Sequence, residues 1–196
     1  MSAPGNRPPD PLITLRLILR PLERDDAAAV FRYRSRPEVC RYQTWLPADE
    51  GEVRRLIEDQ RKAGLGAPGT WFSLAIRLRE NGTLIGDTGL FFPEPDRRET
   101  EIGITLAPEY QGRGYAGETL QAVFDFAFRR LRRDAIVASV DPRNAASVRL
   151  LERSGMRRTE LSPRSLVIRG EIVDDARYRL TADAFRRSGG MSPSPE

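Results

Sequence analysis

Between residues 99 and 130 the chain reads as a strand, a glycine-dense turn and a long helix, and this succession constrains the fold more than any other stretch. Residues 99–106, ETEIGITL, mix apolar and polar side chains as a strand does, and Pro108 ends the run. The turn QGRGYAG follows at residues 111–117. Beyond it Leu120, Val123, Phe124, Ala127, Phe128 and Leu131 are spaced to form one face of a helix. A turn of this kind leaves backbone N–H groups unpaired at the helix N-terminus, pointing into one concavity. Such a concavity can receive a phosphate or pyrophosphate without a lysine. Gly112 and Gly114 let the backbone bend tightly and come close to a ligand. A glycine-rich connection that binds nothing is the other reading of the same residues.

A nucleoside triphosphate loop would end in Gly-Lys-Ser/Thr. Here Gly112, Gly114 and Gly117 have no Ser/Thr–magnesium element beside them, and Lys62 is the only lysine of the chain. Histidine is absent altogether, which removes Ser-His-Asp hydrolysis, Cys-His chemistry and histidine-ligated metal sites. Proton transfer must therefore use a carboxylate, a hydroxyl, a thiol, the backbone or water. The single cysteine, Cys40, forms no internal disulfide and suits a reducing, cytoplasmic setting.

The 196 residues suit one domain with a real core, expected over residues 12–185 with disordered tails at 1–11 and 186–196. No run of eighteen apolar residues is present, so no membrane segment is expected, and the Pro-rich start has no secretory h-region. The net charge of +4 comes from arginines spread along the chain among acids, so nucleic acid is not the expected partner. The tightest basic group, Arg129 and Arg130 with Arg132 and Arg133, ends the long helix, where cations favour the helix dipole.

Taken in order, residues 12–19 read as a strand, 27–34 and 48–63 as helices, and 37–47 as irregular. Residues 71–79 and 84–90 alternate as strands about the Asn81-Gly82 hairpin turn, and with 99–106 they form an antiparallel meander. After the long helix, AIVASV at 135–140 is continuously apolar and reads as a central strand. A short helix over 145–153 is closed by Ser154-Gly155. Residues 156–161 and 173–180 make a final hairpin through a loop containing Arg169-Gly170. The βαβ crossover places a ligand site at the carboxyl end of the 99–106 strand.

Gln111-Gly112-Arg113-Gly114-Tyr115-Ala116 resembles the Q/R-x-x-G-x-G/A signature of the GNAT N-acetyltransferases. Residues 144–156 resemble that family's second signature, N-x-x-S/A-x-x-L-x-E-x-x-G-F/M, through Asn144, Ser147, Leu150, Glu152, Gly155 and Met156. The opening LILRPLERDD at 17–26 is similar to the branch of ribosomal-protein alanine acetyltransferases (RimJ/RimL-like). The resemblance implies the acyl-CoA N-acyltransferase (GNAT) fold, of α/β (α+β) class. That fold has a mixed, mostly antiparallel central sheet, helices on both faces and a V-shaped splay between two parallel strands. It also implies acetyl-CoA as cosubstrate, no metal, and a small-molecule or peptide amine as acceptor, in a monomer or homodimer.

In that family the loop 111–117, here Gln111, Gly112, Arg113, Gly114, Tyr115, Ala116 and Gly117, cradles the pyrophosphate. Backbone N–H groups around Ile104, Thr105 and Leu106 would meet the pantetheine arm and the oxyanion. Asn144 sits at a strand–helix junction, where its amide caps the helix or bonds an amide-bearing ligand. Many relatives place a tyrosine acid where this chain has Leu151. The resemblance therefore gives Ser147 the task of meeting the leaving thiolate, with water as the other route for the proton. Because an amine acceptor is protonated at neutral pH, a base is needed, and Glu101 on the ligand-bearing strand is the expected one. Glu99 is the neighbouring candidate, and Glu160 is a supporting one by its likeness to the ribosomal branch. Trp45, Phe91 and Phe92 would wall the amine cleft, while Trp71 suits the core as well. Asp174 would be structural.

The function expected is direct acetyl transfer from acetyl-CoA to a primary amine of a protein N-terminus or small molecule. Cys40 lies outside every site element, against a ping-pong route. The alternatives are transfer of another acyl group, such as succinyl, and a CoA-binding protein without catalysis.

Overall fold

The computed structural model describes residues 9–95 and 98–189. The expected N-terminal tail over residues 1–8 and the C-terminal one over 190–196 lie outside the described residues. Eight strands form one sheet: β1 (Leu12–Ile13), β2 (Leu17–Pro21), β3 (Thr70–Leu78), β4 (Leu84–Phe92), β5 (Glu99–Leu106), β6 (Ala135–Val140), β7 (Arg157–Ile168) and β8 (Glu171–Thr181). Their order is β1-β2-β3-β4-β5-β6-β8-β7, and among the described residues only β5 and β6 run parallel. The parallel pair follows from the crossover through α4 (Tyr115–Asp125), since parallel neighbours need a long connection.

Alternation along β3 decides which helices cover which face. Leu74 and Ile76 point to the side of α4, where they join Leu120, Val123 and Phe124 in one core. Ala75 points to the other side, under Val30 of α1 (Ala27–Arg34) and Val53 and Ile57 of α3 (Glu50–Ala63). The sheet therefore carries helices on both faces, as the GNAT fold requires. Leu120, Val123 and Phe124 are fully buried. Each such side chain stabilises the fold by about 1.5–3 kcal/mol, and together they anchor the start of α4, and the turn before it, against the end of β5.

Several boundaries differ from those expected. The strand expected over 12–19 breaks at Thr14, whose N–H donates to the Leu17 carbonyl at 3.0 Å and whose Oγ1 accepts the Leu17 N–H at 2.9 Å, turning the chain between β1 and β2. A one-turn helix, α2 (Pro37–Cys40), begins on Pro37 inside the stretch read as irregular. The long helix ends in a π-helical turn over Phe126–Arg130, closed by Leu131 N–H on the Phe126 carbonyl at 3.1 Å. After β6 comes α5 (Ala145–Arg153), as expected. The final hairpin is much longer than expected and turns tightly at Arg169-Gly170, both at positive φ. A last helix, α6 (Ala182–Arg187), runs past the point where a tail was expected to start, because Thr181 caps it and Phe185 is buried in the core. No helix among the described residues is long and apolar enough to cross a membrane.

Candidate active site

The parallel ladder joins β5 and β6 only at Glu99, Thr100 and Glu101, opposite Ala135, Ile136 and Val137. Beyond Glu101 the two strands part, and this is the V-shaped splay. β5 stays paired to β4 on its other side as far as Leu106. Ala107 N–H bonds the Ile85 carbonyl of β4, so by alternation the backbone polar groups of Ile104 and Leu106 face the gap. Those of Thr105 face β4, so of the three residues expected to offer backbone donors, two face the gap. A cavity of about 380 Å³ occupies the gap, lined among others by Glu101, Ile104, Thr105, Asn144 and Ser147.

The glycine turn stands at the end of β5, ahead of α4. Gly112 and Gly114 hold φ of +72° and +82°, a conformation that costs other residues strain. A Cβ on Gly112 would meet nothing within 4 Å, so its backbone freedom and not crowding explains the glycine. Glu118 is the first residue of α4 whose N–H reaches back along the helix, to the Gly114 carbonyl at 3.1 Å. The preceding N–H groups of Tyr115, Ala116 and Gly117 are the free donors of a helix start. Gln111 spends its side chain differently from the expectation: Nε2 donates to the Leu106 carbonyl at 2.9 Å and ties the turn to β5.

A clasp from the β1–β2 turn steadies the same loop. Thr14 Oγ1 and the Arg16 backbone N–H donate to Glu118 Oε1 at 2.6 and 2.8 Å, and Arg16 Nε donates to Oε2 at 2.7 Å. Arg16 Nη1 also donates to the Arg113 carbonyl at 3.0 Å, and its guanidinium lies 4.5 Å from the Tyr115 ring centroid. Partial burial opposes ionisation of Glu118, but the hydrogen bonds from Thr14 and Arg16 prevail and hold its carboxyl below the usual range. Sequence reasoning missed this clasp, whose partners lie about a hundred residues apart.

Asn144 caps α5, its Oδ1 accepting Ser147 N–H at 3.2 Å. Its Nδ2 and the Ser147 Oγ have no hydrogen-bond partner among the described residues, and both side chains line the cavity. Glu152 of the same signature accepts a hydrogen bond from the buried Tyr178 hydroxyl at 3.3 Å, which pins α5 to β8. Glu101 lies half-buried where the splay begins. Burial pushes its carboxyl above the usual range; Arg177 opposes the shift and Asp175 adds to it.

The acceptor side of the cavity corrects several assignments. Phe92 is 2 % exposed and belongs to the core; its neighbour Phe91 faces the other way, because successive strand residues alternate. Phe91 does not line the cavity but supports Trp71, with ring centroids 5.4 Å apart. Trp71, which suited the core as well, lines the cavity at 39 % exposure, and its indole lies across Gly89 and Gly103. Trp45 lines the cavity as expected, held by Nε1 on Glu52 Oε1 at 2.8 Å. Glu160 is exposed on β7 and bonded by Ser162 Oγ at 2.7 Å. It does not line the cavity, because its side chain is on the exposed part of β7, whereas Leu166 further along the same strand reaches the cavity. Glu99 is paired with Arg179 at 2.8 Å. Asp174 is exposed and accepts Arg164 N–H at 2.9 Å, a local bond within the hairpin.

Arg34 with Asp87, and Asp141 with its partner Arg143 behind it, were not foreseen by sequence reasoning; Arg34, Asp87 and Asp141 line the cavity. Asp87 of β4 accepts the Tyr33 hydroxyl and Arg34 Nε on one oxygen, and Arg34 Nη2 on the other. Asp141, at the end of β6, accepts from Arg143 N–H, Nε and Nη2, and these bonds hold its carboxyl below the usual range. Arg143 Nη1 continues to Glu171 of β8 at 2.7 Å, and Arg169 at the hairpin turn reaches Cys40 Sγ at 3.6 Å. The hairpin is thereby held beside the cavity, which Leu166 lines.

Residues 16–157 match the family model described as the acetyltransferase (GNAT) domain. The chain belongs to the GNAT acetyltransferase family. A Bacillus licheniformis protein named as an uncharacterized N-acetyltransferase, p20, is 30% identical over 170 residues, which is 86% of this chain and 94% of that protein. Two solved structures share the fold equally well. The ribosomal-protein-S5-alanine acetyltransferase of Vibrio fischeri has a TM-score of 0.78 at 17% identity, covering 89% of this chain and 98% of its own. The spermidine N-acetyltransferase of Vibrio cholerae, solved with CoA and spermine, also has a TM-score of 0.78, at 22% identity, covering 88% and 99%. These two family members act on different amines yet match this fold to the same degree, so no single branch stands out.

Proposed function

We propose that the chain transfers the acetyl group of acetyl-CoA directly to a primary amine, of a small molecule or a protein N-terminus. The observation that carries this reading is the parting of β5 from β6 immediately beyond Glu101, with the glycine turn at the far end of the same strand. The residues present fit an acyl-CoA. Helix-start N–H groups at Tyr115, Ala116 and Gly117, with the left-handed Gly112 and Gly114, suit a pyrophosphate. The gap-facing backbone of Ile104 and Leu106, with Asn144 Nδ2, suits the amides of a pantetheine arm. Bound acetyl-CoA supplies the acyl group as an activated thioester.

The remaining roles fall to side chains around the cavity. Glu101 takes the proton of the acceptor ammonium, directly or through a water, and its burial brings its basicity nearer to neutral pH. Ser147 Oγ, free of other bonds, offers a proton where the sulfur departs. The Ile104 and Leu106 N–H groups stand ready for the carbonyl oxygen as charge develops on it. Trp45 and Trp71 wall the acceptor and exclude water. Cys40 is buried against Arg169 and does not line the cavity, which supports direct transfer over a covalent enzyme intermediate.

The test is thiol release from acetyl-CoA and from succinyl-CoA by the purified chain with a panel of amines, with product masses measured. Acetylated product is the expected result. CoA binding without thiol release for any amine would leave a binding protein, and no CoA binding would remove the reading altogether.

A further inference from the structure

Four charged side chains line the cavity: Arg34, Asp87, Glu101 and Asp141. Two of the carboxylates are already saturated. Asp87 is enclosed by Tyr33 and Arg34, and Asp141 by Arg143. Among the described residues Glu101 alone of these acids makes no ion pair, and it is the group assigned to the amine. Arg34 is in the opposite condition. Its Nε and one Nη2 proton serve Asp87 and the Tyr33 hydroxyl lies beside the guanidinium, while Nη1 makes no geometric hydrogen bond among the described residues. Its side chain is 12% exposed, opening on the cavity, and lies 5.0 Å from the Trp45 ring centroid. Stacking and the two bonds to Asp87 hold the guanidinium plane in one orientation, with its spare donors fixed.

Resting on the assignment of this cavity to the acceptor amine, we propose that the acceptor is a small monoamine that also carries a carboxylate, an amino acid or close analogue, and that Arg34 binds the carboxylate. A guanidinium edge with parallel N–H groups matches a carboxylate in a way that a lone ammonium does not. The apolar faces of Trp45 and Trp71 receive the rest of the molecule. The same inventory disfavours a polyamine. A second ammonium would enter a cavity whose other acids are satisfied, and would meet Arg34, a like charge.

Binding can be measured without turnover. Calorimetry on the chain saturated with CoA compares four ligand classes: amino acids with apolar or aromatic side chains, their decarboxylated amines, their neutral amides, and spermidine. The expected result is that at least one amino acid binds tenfold or more tightly than its decarboxylated amine, its amide and spermidine. Arg34→Lys keeps a cation beside Asp87 but loses the planar fork. It should abolish that preference, so that the amino acid binds no more tightly than its amide. If amide and amino acid bind alike, or if spermidine binds best, or if no amino acid binds, Arg34 is only the partner of Asp87 and the proposal falls. Acetyl transfer to some other amine of the panel would meanwhile uphold the transferase reading, so the two failures are distinguishable.

Discussion

Replacing Glu101 with glutamine keeps the shape of the side chain and removes its basicity. The consequence depends on how much free amine the solvent supplies. An alkyl amine with a pKa of about 10.4 is unprotonated in roughly one molecule in 2,500 at pH 7, whereas an α-amine of pKa about 7.8 is free in roughly one in seven. A positioned base typically contributes about 10²–10⁴-fold. Glu101→Gln should therefore lower kcat/KM at pH 7 by about 10²-fold or more for an alkyl amine and by about tenfold for an α-amine. The loss should shrink as pH rises, closing near pH 8 for an α-amine and above pH 10 for an alkyl amine. Stability should move the other way. The half-buried Glu101 carboxyl has its pKa raised above that of the unfolded chain. Its favourable contribution is complete below the unfolded value and is lost as pH rises through the folded value. Ionising the group in the folded chain is therefore a net cost, so the glutamine variant should melt higher than the parent at pH 7 and no higher near pH 3. Thiol-release rates across pH 6.5 to 9.5, with melting curves at both pH values, measure both effects. A rate loss of equal size at every pH, accompanied by a lower melting temperature at pH 7, would mean that Glu101 holds the strand and is not the base.

Other substitutions separate the parts of the site. Gly114→Val forces a β-branched residue to φ +82° beside Arg16 and should weaken CoA binding at least tenfold, about 1.4 kcal/mol. A folded variant with unchanged calorimetric affinity would reduce the turn to a connection. Ser147→Ala should lower kcat a few-fold with CoA affinity unaltered, since only a departing sulfur calls on the hydroxyl; an unchanged kcat, measured where chemistry is limiting, would hand the proton to water. Gly86 and Gly89 differ in what an added methyl would strike. At Gly86 it would lie 2.2 Å from the Thr105 carbonyl oxygen, a backbone atom, so Gly86→Ala should cost about 3 kcal/mol, or about 6–12 °C in Tm by calorimetry. At Gly89 it would lie 2.8 Å from the Trp71 ring, which is exposed enough to swing outward. Gly89→Ala should therefore change Tm little while raising the KM for the amine several-fold and sparing that for acetyl-CoA.

The parts of this site that could be read from the sequence are those whose cause is local. The Gly112 and Gly114 turn, the strand before it and the amphipathic helix after it depend on backbone freedom and periodicity within some thirty residues. The Asn144 cap depends on a residue three positions away. The parts that could not be read depend on strand order and on contacts across the chain. Glu160 stands a plausible distance along the sequence from the other candidates, yet the order β6-β8-β7 puts it on the sheet edge. Asp87 is satisfied by Tyr33 and Arg34, more than fifty residues earlier, and nothing in their local surroundings pairs them. Between these extremes lie signals that were present but need the sheet register to be understood. Phe91 and Phe92 must face opposite ways, yet alternation alone does not say which faces the core. Glycines at 89 and 103, each inside a strand, mark a place where something large lies on the sheet. Only the register, which sets Gly89 opposite Gly103 and Trp71 opposite Phe91, shows that the large group is the Trp71 indole. A glycine inside a strand therefore carried information about the cleft, through the volume it leaves for a neighbour and not through its own conformational freedom.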